Sequence, residues 1–165
     1  MSVALITESM DKQLAVLNEL LQLGEEKKQA LIANDADEVT RIAGKENKCI
    51  KNSASLEQER INAVQSFFLS LGLSIPASIT ISELVQYASK VEEKKALLAT
   101  QERLVATAQK LQKLNELNQQ LLRQSLEFIN FSMDLYMGSE EEAVYKNPLQ
   151  QHTGVARTGF YNFKA

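Results

Sequence analysis

Catalysis needs acids, bases, nucleophiles or metal ligands that converge on one point, and this sequence of 165 residues supplies few. Its one histidine, His152, lies close to the carboxy terminus. Its one cysteine, Cys49, falls on an apolar helical stripe, where a free thiol is most often a small buried hydrophobe. A di-iron site in a helical bundle draws Glu-x-x-His pairs from two facing helices, and a single histidine cannot provide them. Glycine-rich phosphate loops, His/Cys metal spacings and nucleophile elbows do not occur. The expectation is a protein that is not an enzyme and holds neither cofactor nor metal.

The chemistry left on offer is apolar contact, and it is concentrated between residues 104 and 137. At about 100° of rotation per residue, Glu116, Gln120, Arg123, Glu127, Asn130 and Asp134 crowd into one narrow polar arc. The rest of the circumference is apolar. One stripe contains Leu104, Ala108, Leu111, Leu122, Leu126, Ile129 and Met133; a second contains Leu114, Leu117, Leu121, Phe128, Phe131 and Leu135. Together they span about 240°, where a helix packing on one face needs little more than about 100°. Two readings stand. Both stripes pack on the other helices of a bundle, or part of the second stays open and receives a partner helix. In the second reading Leu114, Leu117, Leu121, Phe128, Phe131 and Leu135 form the binding strip, and Met133 and Met137 add adaptable contact. Asn115 and Asn118 interrupt the first stripe at core-like spacing and are expected to set register, as buried Asn does in coiled coils.

The elements that must carry these stripes are helices. Leu, Ala, Gln, Glu and Lys abound, Trp is absent, and only Pro76 and Pro148 break the chain. Helices are expected over about 5–33, 36–71, 80–88 and 90–137. Met10, Leu14, Leu17, Leu21 and Leu31 give the first its stripe, with Gly24 and Lys28 in the intervening slots and Gly24 as a soft point. The stripe of the second, through Val39, Ile42, Cys49, Leu56, Ala63 and Phe67, is interrupted by Glu46, Ser53 and Arg60. Those interruptions leave room for ion pairs at a helix–helix boundary or for a partly solvated face. Asp35 with Glu38, and Thr80 with Glu83, have capping-box spacing. The fold class is thus all-α: an elongated antiparallel helical bundle, coiled-coil-like, with three long helices and one short one. Residues 1–137 make the bundle. Residues 138–165 read as a flexible, disordered tail, which ends in the aromatic cluster Phe160-Tyr161-Asn162-Phe163. Interspersed charge, net −3, offers no basic stripe for nucleic acid. No secretory signal and no apolar run long enough for a bilayer is present. A cytoplasmic protein is expected.

The stretch Leu114-Asn115-Glu116-Leu117-Asn118-Gln119-Gln120-Leu121-Leu122, continuing through Ser125-Leu126-Glu127-Phe128-Ile129, resembles the core of the FlgN family of flagellar export chaperones. That family shows a Leu-Asn-x-x-Asn-x-x-Leu-Leu pattern on its last long helix, and the order of helices resembles it across essentially the whole chain. The resemblance implies a cytoplasmic chaperone that binds the carboxy-terminal helices of hook-associated proteins. It would prevent their premature assembly and deliver them to the membrane protein of the flagellar export gate. It also implies a gate contact after the last helix, through a Tyr in a Tyr-Gly-x-x-Gly-like segment. Tyr145 occupies the comparable place, although the glycines are absent. From the residues alone, a coiled-coil adaptor that self-associates and a small cofactor-binding bundle remain alternatives of different class.

Overall fold

The computed structural model describes residues 3–76 and 79–144, with side chains as far as Gly138. It contains helices α1 (Ala4–Ile32), α2 (Ala36–Ser70), α3 (Ile81–Tyr87) and α4 (Val91–Val144), and no strand among the described residues. The chain divides into two units, Met1–Leu126 and Glu127–Ala165, with the boundary inside α4.

The turns are set by local chemistry. At the end of α1, Asn34 adopts a left-handed φ of 54°. This lets the Asp35 N–H donate to the Ala30 carbonyl (2.9 Å) and the Asn34 N–H to that of Leu31 (3.2 Å), the paired bonds of a Schellman stop. Asp35 then caps α2 by accepting the Glu38 N–H at 3.0 Å. Only half of the expected capping box forms here. The Asp35 N–H is already committed to Ala30, so the Glu38 carboxylate turns instead to Arg41 (2.7 Å). Gly72, with φ 69°, repeats the stop after α2, the Leu73 N–H donating to the Phe68 carbonyl at 3.1 Å. Thr80 and Glu83 form the full box that opens α3.

In the first unit α1 is the middle helix, and it uses two faces. One face packs on the antiparallel α2: Val16, Leu23 and Ala30 of α1 cluster with Ile42, Cys49 and Leu56 of α2. This seam is absent from the sequence reading, which follows only the 10-14-17-21-24-28-31 face. That second face includes Gly24, which lies against α4. A Cβ on Gly24 would sit 2.7 Å from Leu114 Cδ2, inside van der Waals contact. Gly24 is therefore a point of close approach rather than the soft point expected. α4 runs parallel to α1, as shown by contacts that advance together: Thr100 Oγ1 donates to Asp11 (3.3 Å), Asn118 Nδ2 to the Gly24 carbonyl (2.8 Å), and Ser125 Oγ to Asn34 Oδ1 (3.4 Å).

A larger core gathers where the start of α1, the end of α2, α3 and the start of α4 meet. Ile6, Met10, Phe67, Phe68, Leu84 and Leu97 are buried together there. Phe67 meets Phe68 edge-on at 5.9 Å, and Phe68 meets Tyr87 at 5.1 Å. The charged interruptions in the α2 stripe, Glu46 and Arg60, are answered by pairing. Lys27 of α1 reaches Glu46 at 2.7 Å, and Glu57 accepts from both Arg60 (2.9 Å) and Gln13 of α1 (2.8 Å).

α4 continues to Val144, through Gly138, where the sequence suggests a stop near residue 137. One glycine disfavours a helix by about 1 kcal/mol relative to Ala. Helix formers flank it, from Tyr136 and Met137 to Glu140–Ala143, and they are enough to carry the helix across.

Leu97 is fully buried whereas its neighbour Leu98 is 45% exposed. Leu97→Ala is expected to lower unfolding free energy by about 2–5 kcal/mol, and Leu98→Ala by less than about 0.5 kcal/mol, in urea titrations followed by circular dichroism. A pH effect is also expected. The Arg60 hydrogen bond holds Glu57 below the usual carboxylate range, Arg41 does so for Glu38, and the Thr80 N–H does so for Glu83. A depressed carboxylate contributes stability above its unfolded pKa of about 4.3 and loses it as pH falls through the folded value. Tm should thus fall as pH drops from about 5 to about 3. Glu57→Gln should lower Tm at pH 7 and narrow the gap between the neutral and acid melts.

Candidate functional site

The covered side of α4 follows a 3-4 alternation. Between 97 and 125 the buried or half-buried positions are 97, 100, 104, 107, 111, 114, 118, 121 and 125, with Gln101 beside them. That is a heptad seam with a period near 3.5 residues. It runs between the two stripes drawn from the sequence, taking Leu104 and Leu111 from one and Leu114 and Leu121 from the other. A wheel at 3.6 residues per turn drifts by about 20° per heptad against such a seam. Over four heptads that drift blurs which stripe packs.

Of the two asparagines expected to set register, only Asn118 lies in this seam. Asn118 is buried, and its amide donates to the Gly24 carbonyl. Its Oδ1 finds no partner among the described residues, so the side chain fixes register more than it adds stability. Asn115, expected to act with it, is exposed. Beside the seam, the first unit has a groove of about 530 Å³ walled by Leu20, Leu31, Val39, Ile50, Leu111 and Leu122, with the Lys27–Glu46 pair along it.

The second unit, by itself, has a different surface. Phe128, Phe131 and Leu135 are 68%, 61% and 59% exposed, and Ile129, Met133, Tyr136 and Met137 are exposed as well. Ser132 is half-buried, its hydroxyl donating to the Phe128 carbonyl one turn back at 2.8 Å. The charged side chains from Gln124 to Gly138 are Glu127 and Asp134, and no base lies among them. Such a surface offers broad apolar contact bordered by negative charge. An amphipathic helix can bind there without any covalent step or nucleotide.

The sequence-derived strip is therefore divided. Leu114 is buried against Gly24 and Leu121 is half-buried, so both serve the first unit's own packing. Leu117 lies exposed on the first unit, and Phe128, Phe131 and Leu135 are exposed on the second. Leu122, Leu126, Ile129 and Met133, grouped in the sequence as a packing stripe, are also exposed. The heptad spacing of Leu97, Thr100, Leu104, Leu111, Leu114 and Asn118 is the signal that separates the covered residues from the rest. Tyr145 and the Phe160–Phe163 cluster lie outside the described residues. Cys49 is buried in the α1–α2 seam, where burial, with Glu19 nearby, pushes its thiol pKa up; that opposes thiolate chemistry.

Among the described residues, no group of three or more His, Cys, Asp or Glu side chains could hold a metal ion. Among them also, no helix is long and apolar enough to cross a membrane.

The family model described as FlgN protein matches residues 1–153. The chain is 36% identical over 151 residues to the uncharacterized protein YvyG of Bacillus subtilis (strain 168), covering 91% of this chain and 90% of that protein. No solved structure matches it. The matched residues include all four helices, α1 to α4, and with the identity to the Bacillus protein they show that this chain belongs to the FlgN family, a chaperone family of flagellar export.

Proposed function

We propose that this chain is a cytoplasmic export chaperone that holds the carboxy-terminal helices of hook-associated proteins on the apolar surface of the second unit, centred on Phe128, Phe131 and Leu135. It keeps those helices from assembling early and hands them to the membrane protein of the export gate. The family supports the chaperone role in general. What supports the site is the exposure of three large apolar side chains on one helix, since such patches on proteins in water are commonly reserved for partners. An amphipathic helix exported without its assembly partners needs a temporary cover for its apolar face, and this surface offers one of the same chemistry. Gate contact is assigned to the segment after α4, with Tyr145 as its contact residue.

The substitutions Phe128→Asp and Phe131→Asp each remove an exposed ring and place a charge in the contact. Losing a buried Phe is worth about 1.5–3 kcal/mol, so each should weaken binding of hook-associated proteins by about 10-fold or more. Because both rings are exposed, helicity by circular dichroism should stay as in the parent chain. Calorimetric titration with purified hook-associated proteins checks this; unchanged affinity in both variants removes the strip from the site. Tyr145→Ala should leave cargo affinity unchanged and reduce capture of the gate protein in a pull-down; capture equal to the parent excludes Tyr145.

A further inference from the structure

We propose that the surface on the second unit takes two amphipathic helices at once, each bordered by Lys or Arg, rather than a single helix; this rests on the partner-binding reading above.

The number of helices comes from angular width. Projected at about 100° per residue, Asn130, Asp134, Glu127 and Gly138 occupy an arc of only about 80°. Phe131, Leu135, Phe128, Tyr136, Ile129, Met133 and Met137 are spread around the remainder with Ser132 among them. All seven of those apolar side chains are exposed. A neighbouring helix covers a stripe of little more than about 100°. One bound helix would leave more than half of this apolar arc in water, while two flanking helices would cover it.

The register supports the same arrangement. In the first unit the covered seam of α4 has 3-4 spacing, ending with Asn118, Leu121 and Ser125. That spacing continues in sequence at Phe128, Ser132 and Leu135. A pair of heptad-patterned helices can therefore seat on the second unit with α4 as the third member of a bundle. Ser132 satisfies its own hydroxyl on the Phe128 carbonyl and asks for no polar group in return.

Charge decides between partners. From Gln124 to Val144 the sequence contains Glu127, Asp134, Glu140, Glu141 and Glu142 and no Lys or Arg. Glu127 and Asp134 sit together inside the narrow polar arc, about 40° from Phe131 on one side and about 60° from Met137 on the other, so helices that cover the apolar arc bring their outer edges toward these acids. A second copy of this chain would bring the same acids to the same borders and be disfavoured. Basic borders complement them and make binding weaken with salt.

The test uses the full chain and three synthetic probes. The first is a 21-residue amphipathic peptide with a Leu/Phe stripe and Lys borders; the second has the same stripe and Glu borders. The third joins two Lys-bordered copies by a Gly/Ser linker. Calorimetry should give two Lys-bordered peptides per chain, and one linked hairpin bound at least about 10-fold more tightly. The Glu-bordered peptide should bind at least about 10-fold more weakly, and Glu127→Lys with Asp134→Lys should abolish that difference. Glu102→Lys, a reversal on the exposed surface of the first unit, should leave it intact. One peptide per chain with no gain from linkage overturns the pair of helices. Equal binding of Lys- and Glu-bordered peptides overturns the basic borders. A dimer of the free chain in sedimentation that no peptide displaces makes a second copy the occupant and overturns both. Peptide binding that survives Phe128→Asp and Phe131→Asp unchanged would instead refute the site itself, a separate result from either of the others.

Discussion

At Gly24 of α1 the missing side chain leaves room for Leu114 of α4, and the seating of α4 on α1 in the first unit turns on this fit. A central helix that packs on two neighbours must supply two apolar faces and still let both neighbours close. α1 meets the first demand with separate seams toward α2 and α4. It meets the second at Gly24, where Leu114 fills the space a Cβ would occupy. The same approach brings the Gly24 carbonyl within 2.8 Å of the Asn118 amide. A one-turn slip of α4 would leave that buried amide without its acceptor and drive Leu114 against a larger residue. Close packing and one directional bond therefore choose a single register from several that an all-leucine seam would tolerate.

That register has consequences for the rest of α4. Because α4 is parallel to α1, its amino-terminal half lies in the larger core with Phe67, Phe68 and Leu84. Its covered seam then thins to Leu114, Asn118 and half-buried Leu121 and Ser125 within the first unit. Stability is thus concentrated where Leu97 and the aromatic pairs are buried. The broad apolar surface belongs to the other unit, where substitutions at exposed positions do not enter this core. This separation suits a chaperone, which must hold and release a client while its own fold persists.

The interrupted stripe of α2 follows a related logic. Glu46 and Arg60 would be liabilities in a fully dry seam, yet each sits at a boundary where a partner reaches it. Lys27 spans from α1 to Glu46, and Gln13 joins the Glu57–Arg60 pair. Such partly exposed pairs add little stability, but removing one member leaves the other poorly placed. They orient the hairpin more than they hold it together. The groove beside Lys27 and Glu46 shows that α2 and α4 do not close on each other as tightly as α1 does on α4.

Local chemistry is written in the sequence and survives translation into structure almost unchanged. The helix ranges, the Thr80–Glu83 capping box, the Asp35 cap, the burial of Cys49 and the surplus of apolar side chains late in α4 can all be read from residue types and spacing. Each depends on neighbours within a turn or two, or on composition. The second seam of α1, the purpose of Gly24, the covering of Leu114 and the exposure of Leu122, Ile129 and Met133 could not be read that way. These depend on which face of one helix meets which face of another. A small rotation of α4 exchanges one leucine stripe for the other at nearly equal hydrophobic gain. Contacts between distant residues, among them the fit around Gly24 and Asn118, 94 positions apart in the chain, break that near-degeneracy, and spacing along a single helix contains no trace of them.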